Sequence, residues 1–130
     1  DIVDRYEKWD MEERVTVAFR DAYTHQAVQS FNNIRFDVIV DDGPHTLDSM
    51  IFCVKEYSKL LTPNGILAIE DIPNPDWIAA IAAAVPAEHQ NWAFGIDRRN
   101  APNPITVSAF KDELMFFIDR RYARDYSSPS

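Results

Sequence analysis

Two short apolar runs each end in a pair of acids, and a helical pattern fills the space between them. Phe36-Asp-Val-Ile-Val40 runs into Asp41-Asp42, and Ile66-Leu-Ala-Ile69 runs into Glu70-Asp71. From Thr46 to Leu61 the residues Leu47, Met50, Ile51, Val54, Tyr57, Leu60 and Leu61 recur every three or four positions, the period of one helix face. A strand that is apolar at nearly every position is buried on both sides, and such strands pair in parallel through a helical crossover. This arrangement predicts an α/β fold.

The flanking segments fit the same alternation. Val15-Thr-Val-Ala-Phe19 is rich in β-branched and aromatic residues and predicts a strand, followed by a short helix within Asp21 to Asn33. Thr62-Pro-Asn-Gly65 is expected to break the long helix before its strand. After the rigid Ile72-Pro-Asn-Pro75, Asp76 is expected to cap a helix bearing Trp77, Ile78, Ile81 and Val85, which stops at Pro86. Trp92–Ile96 and Leu114–Ile118 read as a final antiparallel pair, with a loop over Arg98–Pro104 and a flexible tail from Tyr122 to Ser130. The expected sheet is therefore mostly parallel and doubly wound, closed by a C-terminal antiparallel hairpin.

Composition narrows the function. The chain has 130 residues, 46% apolar and 26% charged, which suits one globular domain. A net charge of −8 argues against nucleic acid and anionic membranes, both of which need a positive field. Cys53 stands alone, so no internal disulfide and no cysteine-based zinc site can form, consistent with a reducing, cytoplasmic setting. No apolar run reaches the roughly 20 residues of a membrane span, and no signal-peptide layout is present. The three glycines, Gly43, Gly65 and Gly95, cannot spell a dinucleotide-binding or phosphate-cradling loop.

In open α/β sheets ligands bind beyond the carboxyl ends of the strands. Asp21 falls there after the first strand, Asp41, Asp42 and His45 after the second, and Glu70 and Asp71 after the third. If the two central strands are neighbours, Asp42, Glu70 and Asp71 converge and repel one another unless a cation compensates. Hard oxygen donors suit Mg²⁺, Mn²⁺ or Ca²⁺. An imidazole on the exit turn, His45, is a candidate general base beside them. Acids in these places also cap helices or meet solvent, so the residues by themselves leave the reaction open.

The stretch Phe36-Asp-Val-Ile-Val-Asp-Asp-Gly-Pro-His45 and the later Leu60-Leu-Thr-Pro-Asn-Gly-Ile-Leu-Ala-Ile-Glu-Asp71 resemble a D-D-G-S-H … L-x-P-G-G-x-x-x-I-E-D pattern. That pattern belongs to class I S-adenosylmethionine-dependent methyltransferases. The similarity is greatest to metal-dependent sugar O-methyltransferases of the mycinamicin 2''-O-methyltransferase type, and cephalosporin-hydroxylase-like proteins share the fold. The resemblance implies a Rossmann-like sheet in the order 3-2-1-4-5-7-6. It also implies S-adenosylmethionine as cofactor, Mg²⁺ held by Asp42, Glu70 and Asp71, and His45 as catalytic base. Pro44 replaces a small residue and Asn64 a glycine, departures that spare these positions. Upstream, Asp1 matches the family's ribose-binding acid, and Asp21 with Ala22 the adenine contact. Asp41 joins them as a cofactor-side residue.

The family's first strand and glycine-rich loop have no counterpart here. The expectation is therefore that residues 1–121 are the C-terminal two-thirds of a methyltransferase domain. Without strands 1 and 2, strands 3 and 4 would stand roughly 14 Å apart rather than under 5 Å. The exposed edge would then favour a partner segment or self-association.

Two functions follow. One is Mg²⁺-assisted O-methyl transfer to a sugar or another vicinal diol, with a small-molecule or glycan substrate. The other is an incomplete or non-catalytic Rossmann-like module of a larger glycan-modifying protein that keeps the carboxylate rim. Among weaker signals, Arg98, Arg99 and Asn100 suggest either a solvated loop or a substrate contact. Trp77 suggests sugar stacking or sheet packing. His25 and His89 are expected at the surface or at helix ends, and Cys53 in the core.

Overall fold

A computed structural model describes residues 16–99 and 114–122. Its order is α1 (His25–Gln29), β1 (Phe36–Asp41), α2 (Leu47–Glu56), β2 (Leu61–Ile69), α3 (Trp77–Ala84), β3 (Ala93–Asp97) and β4 (Leu114–Asp119). Short 3₁₀ turns occupy Tyr57–Leu60, Ala87–Trp92 and Arg120–Tyr122.

The four strands form one mixed sheet in the order β1-β2-β4-β3. β1 and β2 are parallel, and β4 lies antiparallel to both β2 and β3. Three strands thus share one direction, and the last inserts reversed between the second and third. This is the 4-5-7-6 portion of the order that the resemblance implies, with the expected antiparallel C-terminal pair.

The registers line up two rows of side chains with opposite fates. Leu67, Ile69, Phe116 and Ile118 are fully buried beneath α2 and α3, against Met50, Cys53, Val54 and Ile81. Gly95 lets α3 sit on this face, since a Cβ there would come within 2.7 Å of Ile78 Cγ2. The next row, Val40, Ala68, Phe117 and Phe94, points to the other face of the sheet. On that side Val38 is 60% exposed and Val40 54%. Phe94 stacks on Phe117 with ring centroids 5.5 Å apart.

Both helices flanking β1 start on threonine caps. Thr24 accepts from Ala27 N at 3.1 Å and Thr46 from Ser49 N at 3.2 Å, each relieving one of the unpaired amides of a helix start. At α3 the expected cap differs. Asp76 makes no capping bond; its own amide donates to Asn74 Oδ1 at 2.9 Å, and Trp77 N donates to Asn74 O at 3.1 Å. An Asx turn on Asn74 therefore starts the helix.

Two other expectations are corrected. Thr16–Phe19 is irregular rather than a strand, and Val15 lies outside the described residues. The short helix expected within Asp21 to Asn33 is α1, which begins only after its threonine cap. Thr62-Pro-Asn-Gly65 does not end the helix before a separate strand but lies inside β2. Two steps along β1 match five along β2 between the Phe36–Leu61 and Val38–Ile66 pairs, so these residues bulge out of the ladder. Pro63 fits there because it has no amide to donate.

Of the two places expected for His89, it takes the helix end rather than the surface, in the last turn of the Ala87–Trp92 3₁₀ helix. It is 6% exposed, and its Nδ1 lies 2.9 Å from Arg120 Nη1. A guanidinium can only donate, so Nδ1 accepts and the ring proton sits on Nε2. Arg120 also donates to Glu88 O at 3.2 Å and stacks 4.3 Å above the Trp92 ring. Trp77 packs against the core, and Cys53 is buried in it as expected. No helix among the described residues is long and apolar enough to cross a membrane. Asp1, Asn100 and residues 123–130 lie outside the described residues.

Candidate functional site

β1 and β2 end at the same level. Asp41 pairs with Ile69, and Glu70 N donates to Asp41 O at 3.1 Å. The exit turns therefore start side by side, and the acids that follow gather at one rim. Asp42, His45 and Asp71 each offer a ligand atom, all within 4.8 Å of one another. His45 Nε2 stands 3.3 Å from Asp42 Oδ1 and 3.8 Å from Asp71 Oδ2. It is buried without a hydrogen-bond partner, because neither approach has hydrogen-bonding geometry. Glu70, one residue before Asp71, is not in this group.

The local backbone at the cluster is unusual. His45 has φ 59° and Asp71 φ 52°, and the only other described non-glycine residue with positive φ is Asn32. Histidine and aspartate enter the left-handed region more readily than most residues, yet they stay there only when the surroundings hold them. Pro44 stiffens the first turn, and Thr46 then starts α2. The second turn is tied down by Ile72 N donating to Leu114 O at 3.0 Å.

A cavity of about 250 Å³ lies beside the cluster, on the other side of the β1 exit. Ala22, Tyr23, Phe31, Ile39, Val40, Asp41, Cys53 and Tyr57 line it. Of the residues expected on the cofactor side, Ala22 and Asp41 reach it. Asp21 is exposed and serves the neighbouring loop, accepting from Tyr23 N at 2.9 Å. The loop is held on α2 by Tyr57, whose hydroxyl donates to Ala22 O at 2.6 Å.

Asp41 is the polar centre of the cavity wall and is 8% exposed. Burial pushes its carboxyl above the usual range. Hydrogen bonds from Tyr23, Gly43 N–H and Cys53 work against that rise. Tyr23 donates at 2.5 Å, and burial followed by this bond drives its phenol far above the ordinary tyrosine range. The Cys53 thiol is also pushed well up, by burial first and by Asp41 second, so it is an inert donor rather than a nucleophile.

Tyr23, Cys53 and Tyr57 are the residues that sequence reasoning overlooked. Only Cys53 carried a signal, as a polar atom on the apolar face of a helix. The Tyr23–Asp41 contact spans 18 positions and has no local pattern. Elsewhere on the rim, Arg99 closes on Asp97 through bonds of 2.9 and 2.6 Å.

No family model matches the chain, and no curated protein does. Among solved structures it is similar to the crystal structure of the M1.HpyAVI–SAM complex, with 20% identity and a TM-score of 0.41. The match covers 74% of this chain and 51% of the other, so the chain spans about half the length of that neighbour.

Proposed function

We propose that this chain carries the cofactor and metal rim of an S-adenosylmethionine-dependent methyltransferase acting on a hydroxyl of a sugar or another vicinal diol. One observation carries the reading. The consecutive residues Asp41 and Asp42 belong to two different sites, an aromatic-walled cavity and a carboxylate–histidine cluster. An enzyme that joins a methyl donor to an acceptor needs two such sites side by side.

The residues fit both groups. The cavity is smaller than the roughly 300 Å³ at which drug-sized pockets begin, and its aromatic walls and single buried acid suit a flat heteroaromatic ring such as adenine. In the cluster, two carboxylates converge on a buried imidazole nitrogen that has no hydrogen-bond partner. Asp42 and Asp71 would hold Mg²⁺ or Mn²⁺, with Glu70 as the third acid that the resemblance implies.

When bound, S-adenosylmethionine supplies an electrophilic methyl group, and the cation supplies Lewis acidity toward adjacent hydroxyls. His45 would accept the acceptor's hydroxyl proton at Nε2 as the oxygen–carbon bond forms and the methyl–sulfur bond breaks, the sulfur leaving as a neutral thioether. Asp42 and Asp71 fix the acceptor next to that nitrogen, and Ala22 with Asp41 orients the donor on the other side of the turn. A neutral diol suits this rim, because an anionic substrate would meet a chain of net charge −8.

A second reading rests on the outer face of β1, where Val38 and Val40 stand exposed beside the cavity. It takes the chain as part of a larger methyltransferase domain that completes the cofactor site. Calorimetric titration with S-adenosylmethionine tests both. Saturable binding supports a complete site, and absence of binding favours the partial one. Metal-dependent methyl transfer to saccharides separates the enzyme from a non-catalytic module.

A further inference from the structure

We propose that Tyr23 is a positioning residue for the Asp42–His45–Asp71 cluster, acting through Asp41 on the turn that presents Asp42 and His45. This rests on reading the cluster as a cation site.

The Asp41 carboxylate joins the loop before α1 to the exit turn. The Tyr23 hydroxyl donates to it at 2.5 Å, and Gly43 on the turn sits against both groups. Asp41 thus anchors the start of the turn, and the next residue, Asp42, belongs to the cluster.

Gly43 shows how closely Tyr23 seats against that turn. A Cβ built on Gly43 would lie 1.8 Å from the Tyr23 hydroxyl oxygen and 3.0 Å from Asp41 Oδ1. Gly43 has no positive φ, so glycine is needed here for close approach rather than for backbone freedom. The hydroxyl sits against a turn whose far end, His45, holds a left-handed conformation. Backbone of that kind persists only while its surroundings hold it. Removing the hydroxyl frees one face of Asp41 and empties the space against Gly43, so the turn can relax. Metal sites are sensitive to such second-layer partners. Tyr23 also lines the cavity, so the same side chain borders one site and acts on the other through Asp41.

The test is Mn²⁺ binding to the full chain, followed by electron paramagnetic resonance well below the unfolding temperature. Tyr23→Phe keeps the ring and removes only the hydroxyl. Its Mn²⁺ affinity should fall, by less than the roughly 10- to 100-fold that follows loss of a bond to a ligand itself, because Tyr23 bonds Asp41 rather than a ligand. Thr62→Val is the control. It removes a 2.9 Å bond to Asp37 at the opposite end of β1 and should leave Mn²⁺ affinity unchanged.

Gly43→Ala displaces the hydroxyl without deleting it and should cause the same loss. The double variant should lose no more than either single one, because both act on one contact. If Tyr23→Phe loses its far-UV signal, Gly43→Ala alone decides. Unchanged affinity in a folded Tyr23→Phe chain overturns the positioning role while the cation site stands. A wild-type chain that does not bind Mn²⁺ overturns the cation site and this proposal with it.

Discussion

The Tyr23 hydroxyl donates to Asp41 Oδ1 at 2.5 Å, joining the loop before α1 to the end of β1 across 18 positions of chain. Asp41 is nearly buried, so the bond both satisfies an acid that water cannot reach and pins the turn that follows it. The contact lines the cavity, and the residue that follows it, Asp42, belongs to the cluster.

The bond should be visible in stability as well as in binding. Hydrogen bonds to charged groups contribute about 1.5–3 kcal/mol. Tyr23→Phe should lower the free energy of unfolding by an amount in that range. Urea denaturation measures it, and a variant as stable as wild type would show that the contact is not formed in solution.

Stability should also decline with acid through His89. Burial first, and Arg120 second, lower its pKa in the fold and keep the ring neutral. Unfolded histidine takes up its proton near pH 6.5. Below that pH the unfolded chain gains a proton that the folded chain resists, so folding loses ground until the folded group titrates as well. Above it the contribution is complete. Urea midpoints at pH 7.5 and 5.5 should differ more for wild type than for His89→Gln, and equal differences would remove His89 from the account.

The two faces of the sheet should respond differently to truncation. Phe116 is fully buried under the helices, and Phe116→Ala should cost about 3–5 kcal/mol. Val38 is 60% exposed on the other face, so Val38→Ser should change stability by no more than about 0.5 kcal/mol. A large loss at Val38 would mean that the outer face of β1 is covered in solution.

If methyl transfer to a diol is the reaction, the two sites should separate by mutation. His45→Ala should abolish transfer but leave S-adenosylmethionine affinity close to wild type in a calorimeter. Equal loss of both would reassign His45 to cofactor binding. Asp42→Asn should raise the Mg²⁺ concentration needed for half-maximal rate, and full activity in excess chelator would eliminate the cation.

The elements were legible where they depend on local pattern. The apolar runs of β1 and β2, the period of α2 and the acids at both strand ends could be read from neighbouring residues. The parallel pairing of β1 and β2 followed from the helix between them. Thr62–Gly65 was misread because a proline and a glycine signal a break, whereas the Phe36 strand holds them in a bulge. Thr16–Phe19 has the composition of a strand but is irregular, since composition by itself does not set the backbone.

By itself, the sequence determined which residues would stand at the rim. Alternating apolar runs and helices leave Asp41, Asp42, His45, Glu70 and Asp71 at strand ends whatever the details of packing. Only the tertiary structure decided how those residues divide. It turned Asp41 inward onto Tyr23 and Cys53, gathered Asp42 and His45 with Asp71, and left Glu70 outside that group. The reason is that strand order and level follow from short-range preferences, whereas the direction of a side chain at a turn depends on the atoms that other elements bring against it.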